Sequence, residues 1–447
     1  MNIKIQDLTS GNVTRTLLRF AGPMFLANLL QSFYSIVDMV VVGRFVGSEG
    51  LAAVSSASML VFLITSVCTG IAQGGAVLVA QYEGAGQKRQ QAEAVLALFV
   101  LAAAFAAAVT AAGFFFYHPA LLLMRVPQEA AADADGYMGI ICGGTAFVFG
   151  YNAVCAILRG LGDSKRPLYF VLAAAIVNVA LDLLLVGRFH MGTRGAAVAT
   201  VSSQGVSFFI AAAYLWRSRL VAIHWKWKIS KKNAAAILRV GLPSAGQMAV
   251  LNFSYLAAAG MLNVYGVTVA AASGIGLKVN TFAAMPVWAV GQAVSAMAGQ
   301  AMGKGDIAHT GGVARAGTAV SVIAALVAVA FFQVFAPQVV LLFDGNPEVV
   351  REGVLYLRIC CSLNCVAYAV MYTLNAFATG LGDASFAFWN SMLDCVLIRI
   401  FGSWLLGPVL GYGFIGIYIA EMFAPVLPAI AGIVYFRRGK WKLRRLV

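Results

Sequence analysis

The 447-residue chain is 61% hydrophobic and only 11% charged, with a mean hydropathy of +0.86. A soluble globular chain is roughly half apolar and a quarter charged, so a fold surrounded only by water is excluded and lipid must be part of the solvent. The net charge of +14 does not indicate nucleic acid, because the basic residues sit in short clusters between apolar runs, where the positive-inside rule expects them.

A helix crossing the bilayer core needs roughly 20 apolar residues. Segments of that kind follow one another at 17–43, 51–80, 92–117, 135–157, 167–187 and 193–216, then at 235–262, 271–299, 312–337, 351–378, 386–407 and 413–436. They lack strand-like alternation, so twelve helices are predicted, the only plausible form for isolated spans. The first eleven residues are polar and precede a full-length apolar run, so no cleavable leader is expected. Lys88, Arg89, Arg159, Lys165, Arg166, Lys304, the 217–239 loop and the 437–445 tail share one side, while Arg44, Arg125, Arg188, Arg194 and Arg351 fall on the other. The bias predicts that both termini are cytoplasmic. The seven cysteines, Cys68, Cys142, Cys155, Cys360, Cys361, Cys365 and Cys395, all lie in predicted spans without metal-site spacing and read as packing thiols.

The two halves of the chain repeat. LLRFAGP (17–23) matches ILRVGLP (237–243), setting Pro23 against Pro243, and AQYEGAG (80–86) matches GQAMGKG (299–305). RGLGDS (159–164) matches TGLGDA (379–384), and Gly192 and Gly195 match Gly413 and Gly416, at a nearly constant offset of 218 to 221. The expected domains are therefore a six-helix bundle over 1–216, a basic cytoplasmic linker over 217–234, and a second six-helix bundle over 235–447 with a basic tail. An even number of spans per half makes the repeat parallel, an arrangement in which transporters bind substrate between the halves. Pro23 and Pro243 read as helix-start or kink prolines. The paired LGD turns read as tight inner loops whose Asp163 and Asp383 cap the next helix.

Carboxylates in the membrane are costly and call for a reason. Asp38 and Asp182 each lie five residues from the outer end of a predicted span, about 8 Å deep at 1.5 Å per residue. Asn178 is one turn below Asp182 on the same face, and Thr200 lies about 10 Å down the sixth span. Two carboxylates, an amide oxygen and a hydroxyl suit a small hard cation. They equally suit one proton shared between carboxylates that cannot both ionise in low dielectric. The alternative is that the four bond one another merely to fix helix packing. Tyr34 and Gln31, one and two turns before Asp38, are candidate neighbours of a substrate or simply packing groups.

In the second half, Lys278, Arg358, Arg399 and Glu421 all lie about 10–13 Å from the outer face. Arg399 and Glu421 stand on consecutive spans and read as a structural ion pair. Asp394 is deeper, without an evident partner, and is weighed equally as a substrate contact or a structural group. Lys278 and Arg358 either line a cleft or snorkel to the surface. Met285 and Trp288, with Gln247, are candidate substrate-cleft residues.

Taken together, GPMFLANLLQSFYSIVDMVVVG (22–43), RGLGDSKRP (159–167), NVALD (178–182) and GAAVAT (195–200) resemble the multidrug and toxic compound extrusion (MATE) family. The likeness is strongest to its bacterial branch typified by the DNA-damage-inducible F proteins. The resemblance covers essentially the whole chain. It implies an all-α fold of two six-helix bundles around a V-shaped central cleft, in the bacterial inner membrane. It also implies export of amphipathic or cationic organic compounds in exchange for entering H⁺ or Na⁺. Asp38, Asn178, Asp182 and Thr200 match the family's cation site in the first half. Gln247 replaces a carboxylate that other branches carry, and the tenth span has no carboxylate beyond Glu352 at its outer end, so a cation site in the second half is not expected. No cofactor, nucleic-acid partner or catalytic residue is expected, and the protein is expected to work as a monomer. No P-loop motif is present, which excludes ATP hydrolysis by this chain. The competing readings are a flippase for a lipid-linked oligosaccharide or related lipid, favoured by the basic residues of the second half, and a membrane-embedded enzyme, for which no nucleophile–base set is found.

Overall fold

The computed structural model describes residues 6–123, 128–221, 230–444 and 446–447. Residues 222–229 of the expected linker, together with Lys4, Arg125 and Arg445, lie outside the described residues. The described residues contain helices and no strand. In the first half the helices are α1 (Val13–Phe45), α2 (Ser48–Gly84), α3 (Lys88–Leu123), α4 (Gln128–Leu161), α5 (Lys165–Asp182) and α6 (Gly192–Ser218). In the second half they are α7 (Lys231–Asn263), α8 (Val267–Lys304), α9 (Ile307–Leu341), α10 (Pro347–Cys360), α11 (Leu363–Gly380), α12 (Ala384–Met392), α13 (Gly413–Phe423) and α14 (Val426–Arg438). Among the described residues, eleven stretches are long and apolar enough to cross a membrane. A twelfth is the pair α10 and α11, bent by 46° at Cys361–Ser362. The fold is thus all-α and polytopic. Several helices overrun the expected spans by two turns or more, because a helix continues past the hydrocarbon wherever its backbone stays hydrogen-bonded.

The described residues form two compact units, one taking in Gly22–Ala245 and the other Thr9–Ala21 with Gly246–Leu446. The division runs through α1 and α7 just before Pro23 and just after Pro243. Both prolines lie well inside their helices, so they do not start them. The first unit has a core of Val41, Val42, Ala57, Tyr137, Val186 and Ala196, drawn from four spans and the turn after α5. The core of the second gathers Val279, Phe332, Tyr356, Tyr368 and Tyr418.

The sequence repeat is also a repeat of backbone geometry. Between α4 and α5 the N–H groups of Gly162 and Asp163 bond to the carbonyls of Arg159 and Leu158. Between α11 and α12 Gly382 and Asp383 bond to Thr379 and Ala378. Gly162 and Gly382 adopt φ of 94° and 90°, a left-handed conformation that glycine reaches without strain. After α5 the chain widens into a π-helical turn, Leu183–Arg188, in which Phe189 N–H bonds to Leu184 C=O. The corresponding turn in the second half, Leu405–Val409, makes the matching bond from Leu410 to Leu405. Gly195 and Gly416 pack against these turns. A Cβ on Gly416 would lie 2.5 Å from the Leu406 carbonyl oxygen, so the close approach requires glycine there.

One π-helical segment has no partner in the first half. Leu393–Gly402 continues α12 and carries both Asp394 and Arg399. Wound with i→i+5 bonds, it brings residue i+5 over residue i, which an α-helix does not do.

Candidate functional site

In the first unit the outer part of α1 supplies Asp38, and the C-terminal turn of α5 supplies Asn178 and Asp182. Val37 and Val41 flank Asp38, and Val186 stands one turn past Asp182; all three pack into the same core cluster as Tyr137, Ala196, Ala197 and Val201. That cluster locates the acids beside α4 and α6. Asp182 and Asn178 are fully buried, at 0% and 1% exposure, whereas Asp38 and Thr200 are half-buried. The Asp38 and Asp182 carboxyl groups are neighbours, with Tyr137 of α4 close to both.

Both oxygens of Asp182, Oδ1 of Asp38 and both amide atoms of Asn178 are buried without a hydrogen-bond partner. Two carboxylates have no proton to offer each other, so their contact becomes a hydrogen bond only when one proton is shared. Alternatively, a small cation between them would take the open oxygens as ligands. Buried polar groups in folded proteins are nearly always satisfied; here oxygens of Asp38, Asn178 and Asp182 lie buried without a hydrogen bond. Tyr34 stands on α1 between Gln31, three residues before it, and Asp38, four residues after it. The Thr200 backbone carbonyl accepts from Ser203. Sequence reasoning missed Tyr137, since a lone tyrosine in an apolar span gives no signal.

The second unit has a different polar centre. Arg399 is 1% exposed, Glu421 1% and Asp394 0%. Arg399 Nη1 donates to Glu421 Oε1 at 3.2 Å, and Nη2 reaches both oxygens of Asp394 at 3.4 Å. The guanidinium also lies over the Tyr255 ring, 4.5 Å from its centroid. Tyr356 donates its hydroxyl to Glu421 Oε2 at 3.2 Å, where the Cys360 thiol also points at 3.7 Å. Asp394 therefore has a partner, five residues along its own π-helical segment, and is covered by protein.

Gln247 of α7 donates to Ser391 Oγ at 2.9 Å, within a buried network that continues to Asn375 and Asn390. Trp288 donates to the Tyr368 hydroxyl at 2.9 Å, and Met285 is 2% exposed. Lys278 and Arg358 are exposed. All seven cysteines are buried and free.

The MatE family profile matches residues 23–184 and again 243–405, so the second match begins 220 residues after the first and reproduces the internal repeat. Among curated relatives, the probable multidrug resistance protein YpnP of Bacillus subtilis is 30% identical, with 99% of each chain covered. Another from that organism, the probable multidrug resistance protein YoeA, is 31% identical over 77% of this chain and 76% of its own. The probable multidrug resistance protein NorM of Thermotoga maritima is 23% identical over 97% and 94%. Among solved structures, the fold is shared with an outward-facing multidrug resistance MATE family transporter of the MOP superfamily, at TM-score 0.92, 21% identity and 98% coverage of each chain. A MOP superfamily transporter from Pyrococcus furiosus, described as having a binding pocket of reverse polarity, superposes at TM-score 0.91 with 21% identity and 98% coverage of each. This chain belongs to the MatE family.

Proposed function

We propose that the protein is a secondary antiporter of the inner membrane that exports amphipathic, often cationic, organic compounds in exchange for entering H⁺ or Na⁺. The observation that carries the reading is the Asp38–Asp182–Asn178 group, whose buried oxygens lack donors. Such a site alternates between an empty, doubly charged form, costly in low dielectric, and a form neutralised by a proton or a cation. That difference couples ion entry to a change of state. Relatives named as probable multidrug resistance proteins support the cargo class, and membership of a transporter family supports transport rather than catalysis.

The flippase reading drew on the basic residues of the second half. Arg399 is committed to two carboxylates, which leaves only Lys278 and Arg358 of that set to attract an anionic lipid head. Export of a fluorescent organic cation from proteoliposomes, with a pH gradient and a Na⁺ gradient imposed separately, tests the proposal. One of the two gradients alone should drive export. Export indifferent to both, or driven only by ATP, would refute it.

A further inference from the structure

Three ionisable side chains of opposite sign are sealed together in the second unit, and their charges do not balance. Arg399 is effectively always a cation, while Asp394 and Glu421 both contact it and neither is more than 1% exposed. Among the described residues, the other titratable groups facing the triad are the phenols of Tyr255 (α7), Tyr356 (α10), Tyr368 (α11) and Tyr418 (α13), and the thiols of Cys360, Cys361 and Cys395. None of these carries positive charge, so two ionised carboxylates would leave one negative charge buried without a counter-charge. An unpaired buried charge is avoided by neutralising the group.

We infer that the Asp394–Arg399–Glu421 triad is a proton-binding site, separate from Asp38 and Asp182, which holds one exchangeable proton between its two carboxylates. Both carboxylates face the one guanidinium. Glu421 receives the Arg399 guanidinium at 3.2 Å, the Tyr356 hydroxyl at 3.2 Å and the Cys360 thiol at 3.7 Å. Asp394 receives only a split 3.4 Å contact from one guanidinium nitrogen and the Cys395 thiol at 3.7 Å. The π-helical winding of Leu393–Gly402 holds Asp394 against Arg399. A metal cation is disfavoured, because the carboxylate oxygens already face donors. Buried and unpartnered at the same place are Arg399 Nε and the Tyr418 hydroxyl. They are free to rearrange their hydrogen bonds when that proton leaves.

Infrared spectroscopy of the reconstituted protein at neutral pH reads the proton directly. The Asp38→Asn/Asp182→Asn variant, which removes the first-unit acids, should keep a protonated-carboxyl band, and adding Asp394→Asn should abolish it. Glu421→Gln on the same background should also abolish it, with Asp394 intact, because one carboxylate then suffices to neutralise Arg399. If the combined variants do not fold, Asp394→Asn alone should lose one carboxyl's share of the native band. A band that survives Asp394→Asn would overturn the assignment. So would a band that survives Glu421→Gln, or no band together with a melting temperature raised by Na⁺. Each outcome is independent of transport, so failure here leaves the antiport reading to its own test.

Discussion

Arg399 has two carboxylates and one aromatic face to satisfy it, and each carboxylate has only one cation. Removing the shared partner should therefore hurt more than removing either acid. Breaking a buried pair from one side costs roughly 3–5 kcal/mol. Arg399→Leu should accordingly lower the apparent melting temperature in detergent sharply. Glu421→Gln should lower it much less, since Asp394 still neutralises the cation. Equal losses in the two variants would show that Arg399 does not bridge both acids. The sequence places Arg399 and Glu421 on consecutive spans at similar depth, which makes their meeting foreseeable. The contact with Asp394 was not legible: five residues apart on an α-helix point to different faces, and nothing in LDCVLIRIFG (393–402) announces the wider winding. In the first unit, the meeting of Asp38 with Asp182 could be read from depth alone, but Tyr137 could not.

The repeated elements were legible wherever glycine or a turn fixes the backbone. Gly192 and Gly413 share positive φ, at 61° and 62°, and the π-helical turns before them repeat bond for bond. Adding a methyl to Gly416 should force α13 away from Leu406, and overpacking of that kind costs about 1–3 kcal/mol. Gly143→Ala, where a Cβ meets nothing within 4 Å, serves as the control. Gly416→Ala should reduce the yield of folded protein, and Gly143→Ala should leave it unchanged or raise it. The LGD turns share a backbone yet differ in what the aspartate does. Asp163 accepts from the N–H groups of Lys165 and Arg166 and caps α5 as expected. Asp383 makes no such cap; it pairs with Arg444 at 3.4 Å and accepts from the Tyr435 hydroxyl. Asp163→Ala should thus cost about 1 kcal/mol of local helix stability, measurable as faster hydrogen exchange at the start of α5. Asp383→Ala should instead loosen the tail, seen as faster proteolysis after Lys440. The tenth span was readable as one apolar run but not as a bent pair, since Cys361 and Ser362 carry no proline or glycine to mark the break.

For the whole molecule, composition excluded a water-soluble fold, and the 220-residue offset revealed the two halves before any coordinate. The orientation rests on charge bias and is open to direct test. Single cysteines at Glu49 and Asn346 should react with an impermeant thiol reagent in intact cells. Those at Gln87, Lys231 and Lys304 should react only after permeabilisation, and labelling of Lys231→Cys from outside would reverse the topology. The coupling ion was never readable, because the same oxygens suit a shared proton or a small cation. The claim that the first-unit acids drive export is tested most directly by counterflow. A substrate cation is offered to proteoliposomes while the internal pH and Na⁺ are followed with indicators. The native protein should exchange one of these ions for substrate, and Asp182→Asn, inserted at equal density, should bind substrate yet move no ion. Native-level exchange by Asp182→Asn, with unchanged ion dependence, would contradict the account.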